Sequence, residues 1–386
     1  MSDFLPYGRH VVDDEDIEQV VRVLRGGPLT QGPRVSEFEA ALAARVQAPG
    51  CVAVSSGTAA LHAAYQALGL GPGDELITSP ITFVATANAA RQLGARVVFA
   101  DVDASGNLDP ESVRAKITDK TRGIAAVHFA GMPCDMEELG AIARAHGLFL
   151  VEDAAHALGA SYAGRPVGSC ELSDMVTVSF HPVKHITTAE GGAIFVRDGD
   201  QEARLRRIRE HGLRREPAPD SRGLYGYVQE ELGYNYRLSD LGAALGLSQL
   251  RKLDRFLGAR RDIYELYKRL LGNLDPEIIA PLPEYPDRQS AHHLMPVRID
   301  FARAKRSRGE VMEALKNKGI GSQAHYIPVH TQPYYRGSGS CPKAERFSSQ
   351  ELSLPMYPGL RAVDVERVVS ALEEILFEGR ALSVSA

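Results

Sequence analysis

Between residues 50 and 200 the chain alternates short apolar runs with longer stretches in which apolar positions recur every three or four residues. The runs at 52–54, 75–78, 96–100, 123–128 and 148–152 are too short for helices and show no polar alternation, so they predict strands buried on both faces. The stretches between them, at 58–68, 85–93, 110–117 and 136–145, predict helices. Strand and helix in alternation imply an α/β sheet, largely parallel and covered by helices on both sides. In such sheets ligands sit beyond the carboxyl ends of the strands, which makes the residues just after each strand the ones to inspect. A further apolar run at 175–180 predicts a strand that breaks at His181-Pro182, and a partner run follows at 193–196 after a double glycine.

The flanks read differently. An amphipathic stretch at 14–24 places Ile17, Val20, Val21, Val23 and Leu24 on one side and stops at Gly26-Gly27-Pro28. Leu29-Thr30-Gln31-Gly32-Pro33 is too rich in breakers to be core, and a second helix is expected at 35–47. After the strand region come a basic helix at 202–210, a loop at 216–223, and a helix at 241–250 that Ser239 or Asp240 can cap. A long helical region at 250–271 leads past Pro281 to smaller units: a strand at 294–299, a helix at 308–318, a strand running into a loop at 323–328 and a last helix at 362–377. The division expected is a large domain over 1–250, with an N-terminal arm, and a smaller C-terminal domain over 251–386.

Composition narrows the function classes. The 386 residues are enough for two domains, and 44% hydrophobic with 24% charged residues is ordinary for an enzyme. A net charge of -5 provides no general attraction for nucleic acid, so an anionic ligand would have to be held by local donors. The four cysteines have no CxxC spacing, which argues against a metal site or a disulfide framework. No basic-then-apolar leader opens the chain and no apolar run approaches membrane-spanning length, so a cytoplasmic protein without membrane partners is expected.

The strand ends carry the candidate chemistry. Ser55-Ser56-Gly57-Thr58 opens a helix after the first strand, where free N–H groups can cradle a phosphate, although the same residues serve equally as an ordinary cap. Phe83 follows the second strand and can stack on a planar ring or simply join the core. Asp153 ends the strand at 148–152 and His156 follows three residues later. A carboxylate there can pair with a protonated pyridine nitrogen, and the histidine can reach a ring oxygen; a helix cap and a satisfied buried histidine are the plainer alternatives. The stretch from Ser179 to Gly192 holds Lys184 on a loop between two core strands. A lysine desolvated in such a place can attack a carbonyl, typically as a Schiff base with pyridoxal 5′-phosphate (PLP).

In combination these motifs resemble the DegT/StrS family of sugar-nucleotide aminotransferases. They are Ser55-Ser-Gly-Thr, Thr82-Phe83, Glu152-Asp153-Ala-Ala-His156, Ser179-Phe-x3-Lys184, Glu190-Gly-Gly, Gly233-Tyr-Asn235-Tyr-Arg and His325-Tyr326-x-Pro328. The resemblance runs from Leu29 to the C-terminal helix. It implies an aspartate-aminotransferase-like fold (PLP fold type I), with a large, mainly parallel α/β/α sheet domain and a smaller C-terminal α+β domain. It also implies that Lys184 carries the cofactor and shuttles protons, that Asp153 holds the pyridinium and that Phe83 stacks on the ring. His156 would bond the ring oxygen, where many relatives have glutamine. Gly57, Thr58 and Ser179 would grip the phosphate, and Asn235 would complete the phosphate site of a neighbouring subunit, which implies a homodimer with shared active sites. Tyr7, Leu29, Thr30, His325 and Tyr326 fall where relatives contact the nucleotide sugar, Tyr7 by position more than by motif. Within the family the stretch His181–Gly192 looks most like the branch that makes UDP-4-amino-4,6-dideoxy-N-acetyl-L-altrosamine for pseudaminic acid. Glutamate is the amino donor the family implies.

Two other reaction classes compete. Relatives that deoxygenate sugars carry histidine at the lysine position, whereas this chain has Lys184 there and His185 after it. An NAD-dependent sugar dehydrogenase would suit the strand–helix alternation, but no strand is followed by GxGxxG opening a helix. Arg214, Arg215 and Arg237 are candidates for meeting the anionic substrate.

Overall fold

A computed structural model describes residues 4–216 and 226–377, except for the side chains of Arg215 and Glu216. The chain opens with helices α1 (Asp14–Gly26) and α2 (Pro33–Val46). Strands and helices then alternate through β1 (Gly50–Val54), α3 (Gly57–Ala67), β2 (Glu75–Thr78), α4 (Ala85–Gln92), β3 (Arg96–Phe99), α5 (Pro110–Arg114), β4 (Thr121–Val127), α6 (Met136–His146) and β5 (Phe149–Asp153). Two short ribbon strands, β6 (Ser161–Tyr162) and β7 (Arg165–Pro166), precede β8 (Met175–Ser179) and β9 (Gly192–Val196). The main sheet has seven strands in the order β1-β9-β8-β5-β4-β2-β3. β9 is its one antiparallel member, paired with β1 and with β8. Every residue of β1, β2, β5 and β9 is buried, as the unbroken apolar runs predicted.

Helix α7 (Gly199–Arg209) and a hairpin of β10 (Leu213–Glu216) with β11 (Gly226–Gln229) lead to α8 (Asp240–Arg251) and α9 (Leu253–Leu271). Of the loop predicted at 216–223, residues 217–223 lie outside the described residues, and residue 216 ends β10. Both cap candidates act, on different helices. Ser239 Oγ accepts from Gly242 N–H at 3.1 Å at the start of α8, whereas the Asp240 carboxylate accepts from Gly32 N–H at 2.8 Å and Arg34 N–H at 3.0 Å at the start of α2. A side chain on residue 32 would bring its Cβ within 2.6 Å of Asp240 Oδ1. Glycine there lets a remote carboxylate do the capping that a local Ser or Asp usually does.

A second core is built from residues 263–376 of α9, β12 (Ile279–Pro281), β14 (Met295–Ile299), α10 (Arg308–Asn317), β15 (Glu351–Leu354) and α12 (Ala362–Phe377), whereas β13 (Arg288–Gln289) pairs with β6 and α11 (Pro342–Gln350) packs Ala344 into the main core. Leu5 belongs to this core although it lies at the other end of the chain. Leu5 N–H donates to Gly319 O at 2.8 Å, Gly321 N–H to Leu5 O at 2.7 Å and Met356 N–H to Tyr7 O at 2.9 Å. The N-terminal arm is thus fastened to the C-terminal region. Two expectations are corrected. Residues 323–328 form no strand, since only Gln323 makes a bridge, to Ser353, and the chain then turns toward Pro328. The apolar side of α1 is not wholly buried either: Val23 is, but Ile17 and Leu24 are more than half exposed.

Candidate active site

A cavity of about 710 Å³ opens at the carboxyl end of the parallel strands, bounded on its far side by residues 323–327. Three structural choices in the main sheet form its floor. Ser56 caps α3 through Ala59 N–H at 3.0 Å, which leaves the first N–H groups of that helix, at Gly57 and Thr58, without helical partners. A Cβ on Gly57 would lie 2.8 Å from Ser179 Cβ, and one on Gly192 would lie 2.5 Å from the Ser56 carbonyl oxygen. The two glycines therefore let the β1–α3 turn, the end of β8 and the start of β9 nest together. That contact places Ser179 beside the free helix end, a seat suited to a phosphate.

Asp153 closes β5 and is buried. Thr86 Oγ1 donates to its Oδ2 at 2.6 Å and Ala155 N–H to its Oδ1 at 3.2 Å. Lys184 sits on the loop after β8, which is pinned by Phe180 N–H to Gly191 O at 2.9 Å and Thr187 Oγ1 to Phe180 O at 3.0 Å. Its amine lines the cavity and has no hydrogen-bond or ion-pair partner among the described residues. Burial lowers its pKa to about 8, and the Asp153 charge acts in the opposite direction. His156 Nε2 meets the Tyr326 hydroxyl at 3.2 Å, while its Nδ1 is buried without a partner. Burial, with the Lys184 charge second, holds His156 well below its usual range, so the ring is neutral.

Of the predicted residues, Tyr7, Gly57, Thr58, Phe83, Asp153, His156, Ser179, Lys184, His325 and Tyr326 all line this one cavity. Phe83 is 61% exposed, its ring turned into open space rather than core. Leu29, Thr30 and Asn235 do not line it. They are exposed on the segments that join α1 to α2 and β11 to α8, where Thr30 bridges Ser239 and Asp240 N–H donates to Leu29 O at 3.0 Å. Arg237 pairs with Glu210 at 3.2 Å and Arg214 with Glu230. Neither arginine lines the cavity, and the Arg215 side chain lies outside the described residues. Thr86 and His293 are wall residues that the sequence reading passed over. Thr86 had a signal, a polar residue one turn beyond Thr82 on a helix that must bury that side.

These groups fit a pyridoxal phosphate: an unpartnered amine for its aldehyde, a buried carboxylate for its ring nitrogen, an orphaned imidazole nitrogen, and a glycine-lined helix end for its phosphate. A sequence profile of the DegT/DnrJ/EryC1/StrS aminotransferase family matches residues 10–373. The chain belongs to that family. Pyridoxal phosphate is the family's cofactor, and the sheet arrangement is that of PLP fold type I. Among curated relatives of this aminotransferase, the spore coat polysaccharide biosynthesis protein SpsC of Bacillus subtilis is 39% identical over 97% of both chains. Among solved structures, Helicobacter pylori PseC, an aminotransferase of pseudaminic acid biosynthesis, superposes with a TM-score of 0.90 at 30% identity, covering 97% of this chain and 99% of that one. DesI, solved in the presence of its TDP-sugar product, gives 0.89 at 33% identity, with 98% and 95% covered. No helix among the described residues is long and apolar enough to cross a membrane.

The lowered Lys184 pKa has a consequence for stability. The unfolded chain holds that proton up to about 10.5 and the folded, cofactor-free chain only up to about 8. The unfolded state therefore binds more protons across that window, and stability rises with pH through it. Cofactor-free Lys184→Met protein is expected to exceed the cofactor-free wild type at pH 7 by on the order of 3 kcal/mol. The gap should close between about pH 8 and 10.5 in urea unfolding series; a gap independent of pH would contradict the assignment.

Proposed function

We propose that the enzyme transfers the amino group of glutamate to a UDP-linked 4-keto-6-deoxy sugar, UDP-2-acetamido-2,6-dideoxy-L-arabino-hex-4-ulose, as a cytoplasmic homodimer whose subunits share active sites. The observation that carries the transamination reading is the unpartnered Lys184 amine across one cavity from the buried Asp153 carboxylate. When bound, the cofactor supplies an electron sink for the carbon next to the transferred nitrogen. The residues do the rest. Lys184 Nζ takes the proton from that carbon of the donor and later returns one to the sugar carbon that gains the nitrogen, a task suited to an amine titrating near 8. Asp153, fixed by Thr86 and Ala155, keeps the ring nitrogen protonated. Gly57, Thr58 and Ser179 would hold the phosphate, Phe83 would pack against the ring, and His156, itself bonded to the Tyr326 hydroxyl, would meet the ring oxygen.

Tyr7 and His325, with ring centroids 5.6 Å apart, form the wall proposed for the sugar. Leu29, Thr30 and Asn235 are exposed outside the cavity, which suits contact with a neighbouring subunit's site. The branch assignment is supported by the His181–Gly192 stretch and by the likeness to PseC. DesI is nearly as similar overall, so the base is a matter for assay. With glutamate as donor, a panel of UDP-, dTDP- and GDP-linked keto sugars, read by product NMR, is expected to show amination at C4 of the UDP sugar. Turnover confined to a dTDP or GDP sugar, or at C3, would reject the branch and leave the family assignment standing.

A further inference from the structure

The cavity wall contains one histidine whose far side is tied to a buried carboxyl. His325 Nε2 has no hydrogen-bond partner among the described residues and its ring lines the cavity. Its Nδ1 lies 2.9 Å from Ser353 Oγ, and Ser353 Oγ lies 2.6 Å from Glu351 Oε1. Oε2 of the same carboxyl accepts the backbone N–H of His325 at 2.7 Å. All three residues are buried. Gln323 and Ser353 exchange both backbone hydrogen bonds, at 3.1 and 2.8 Å, so β15 and the segment bearing His325 are held in register.

A serine hydroxyl has one proton to give. If Glu351 is ionised, Ser353 donates to it and can only accept from His325, whose proton must then be on Nδ1, leaving a bare Nε2 toward the cavity. If Glu351 is protonated the chain reverses: the carboxyl donates to Ser353, Ser353 donates to Nδ1, and Nε2 carries the proton. We propose that Glu351 acts through Ser353 to set the ring tautomer of His325, the protonated carboxyl presenting Nε2–H to an oxygen of the bound sugar and the ionised carboxyl presenting a bare nitrogen. Glu351 is thus a positioning residue for substrate binding, and the assignment of the contact to a sugar oxygen rests on the function proposed above.

The surroundings suit such a device. Burial raises the Glu351 carboxyl to about 8, against the hydrogen bonds from Ser353 and the His325 backbone and the charge of Arg308. Burial lowers His325 to about 3, with the Lys184 charge adding to it, so the ring is neutral and only its tautomer is free to change. The groups that face the pair are Arg308, whose guanidinium donates to the Ser348 and Glu351 carbonyls, Lys184 and His156 across the cavity, and the phenols of Tyr7 and Tyr326.

The test uses protein with 15N-labelled histidine, the His325 signals being assigned by difference from His325→Gln. In the wild type the shifts should pass from the Nε2–H to the Nδ1–H pattern as pH rises from about 6.5 to 9.5, the range around the Glu351 transition. In Glu351→Gln the amide oxygen takes the His325 N–H and the amide nitrogen donates to Ser353, so the ring should keep the Nε2–H pattern throughout. Ser353→Ala, which leaves the carboxyl in place, should abolish the pH response. A wild-type ring that keeps one tautomer, or a Glu351→Gln ring that still changes, overturns the proposal; a carboxyl with a purely structural role would leave the tautomer untouched. KM for the UDP 4-keto sugar should rise on the order of tenfold over the same range in the wild type and stay level in Glu351→Gln. A wild type that turns over no keto sugar would reject the proposed function, while the nitrogen shifts would still decide the tautomer.

Discussion

Lys184→Ala protein is expected to lose turnover by roughly 10³-fold or more, together with the visible band of the lysine Schiff base in the cofactor-loaded enzyme. Lys184 is the only lysine lining the cavity among the described residues, and in the proposed function it both bonds the cofactor aldehyde and moves the proton, so one substitution would remove two functions. Its loss should hardly disturb the fold, because Lys184 Nζ makes no hydrogen bond or ion pair that the protein needs. The loop is held instead by Phe180, Gly191 and Thr187. Stopped-flow turnover, absorbance spectra and peptide mapping after borohydride reduction provide the measurements. In the wild type the cofactor label should map to Lys184. A variant that keeps the visible band, or a label found on another lysine, would remove the anchor of the whole assignment.

Asp153→Asn should cost about 10²- to 10³-fold in kcat, by withdrawing the charge that keeps the cofactor ring nitrogen protonated. The site can absorb the change without collapse. Thr86 Oγ1 stands between Asp153 Oδ2 at 2.6 Å and Thr82 Oγ1 at 2.7 Å, so its hydroxyl can turn to donate to Thr82 and accept from the new amide. The amide oxygen then remains for Ala155 N–H. Thermal unfolding close to wild type with a collapsed kcat would separate an electronic role from a structural one. Near-normal turnover would show that the carboxylate does not face the ring nitrogen.

The legibility of this chain followed burial. The five strands β1 to β5 were readable because a parallel sheet covered on both sides demands unbroken apolar runs, and Lys184, Asp153, Gly57 and Ser179 were readable because each stands where such a strand or its loop ends. β15 was not: Glu351 and Ser353 put two polar side chains into a wholly buried strand, where they bond each other and His325 rather than solvent. The strand expected at 323–328 failed for the complementary reason, since beyond Gln323 that segment aims His325 and Tyr326 into the cavity instead of pairing. β6, β7 and β13, two residues each, are too short for any periodicity to register. Leu29, Thr30 and Asn235, expected at the site from the family resemblance, stand on exposed segments outside the cavity, and a place for them in a site rests on the proposed homodimer rather than on the pattern within one chain.

The fastening of Leu5 and Tyr7 to Gly319, Gly321 and Met356 bears on biosynthesis. Leu5 and Tyr7 must wait until the segment from Gly319 to Met356 has been made before they can dock, and closing so long a loop is slow. A nascent chain would therefore possess the phosphate seat and Asp153 well before the wall that carries Tyr7, and could meet cofactor earlier than it could enclose a sugar.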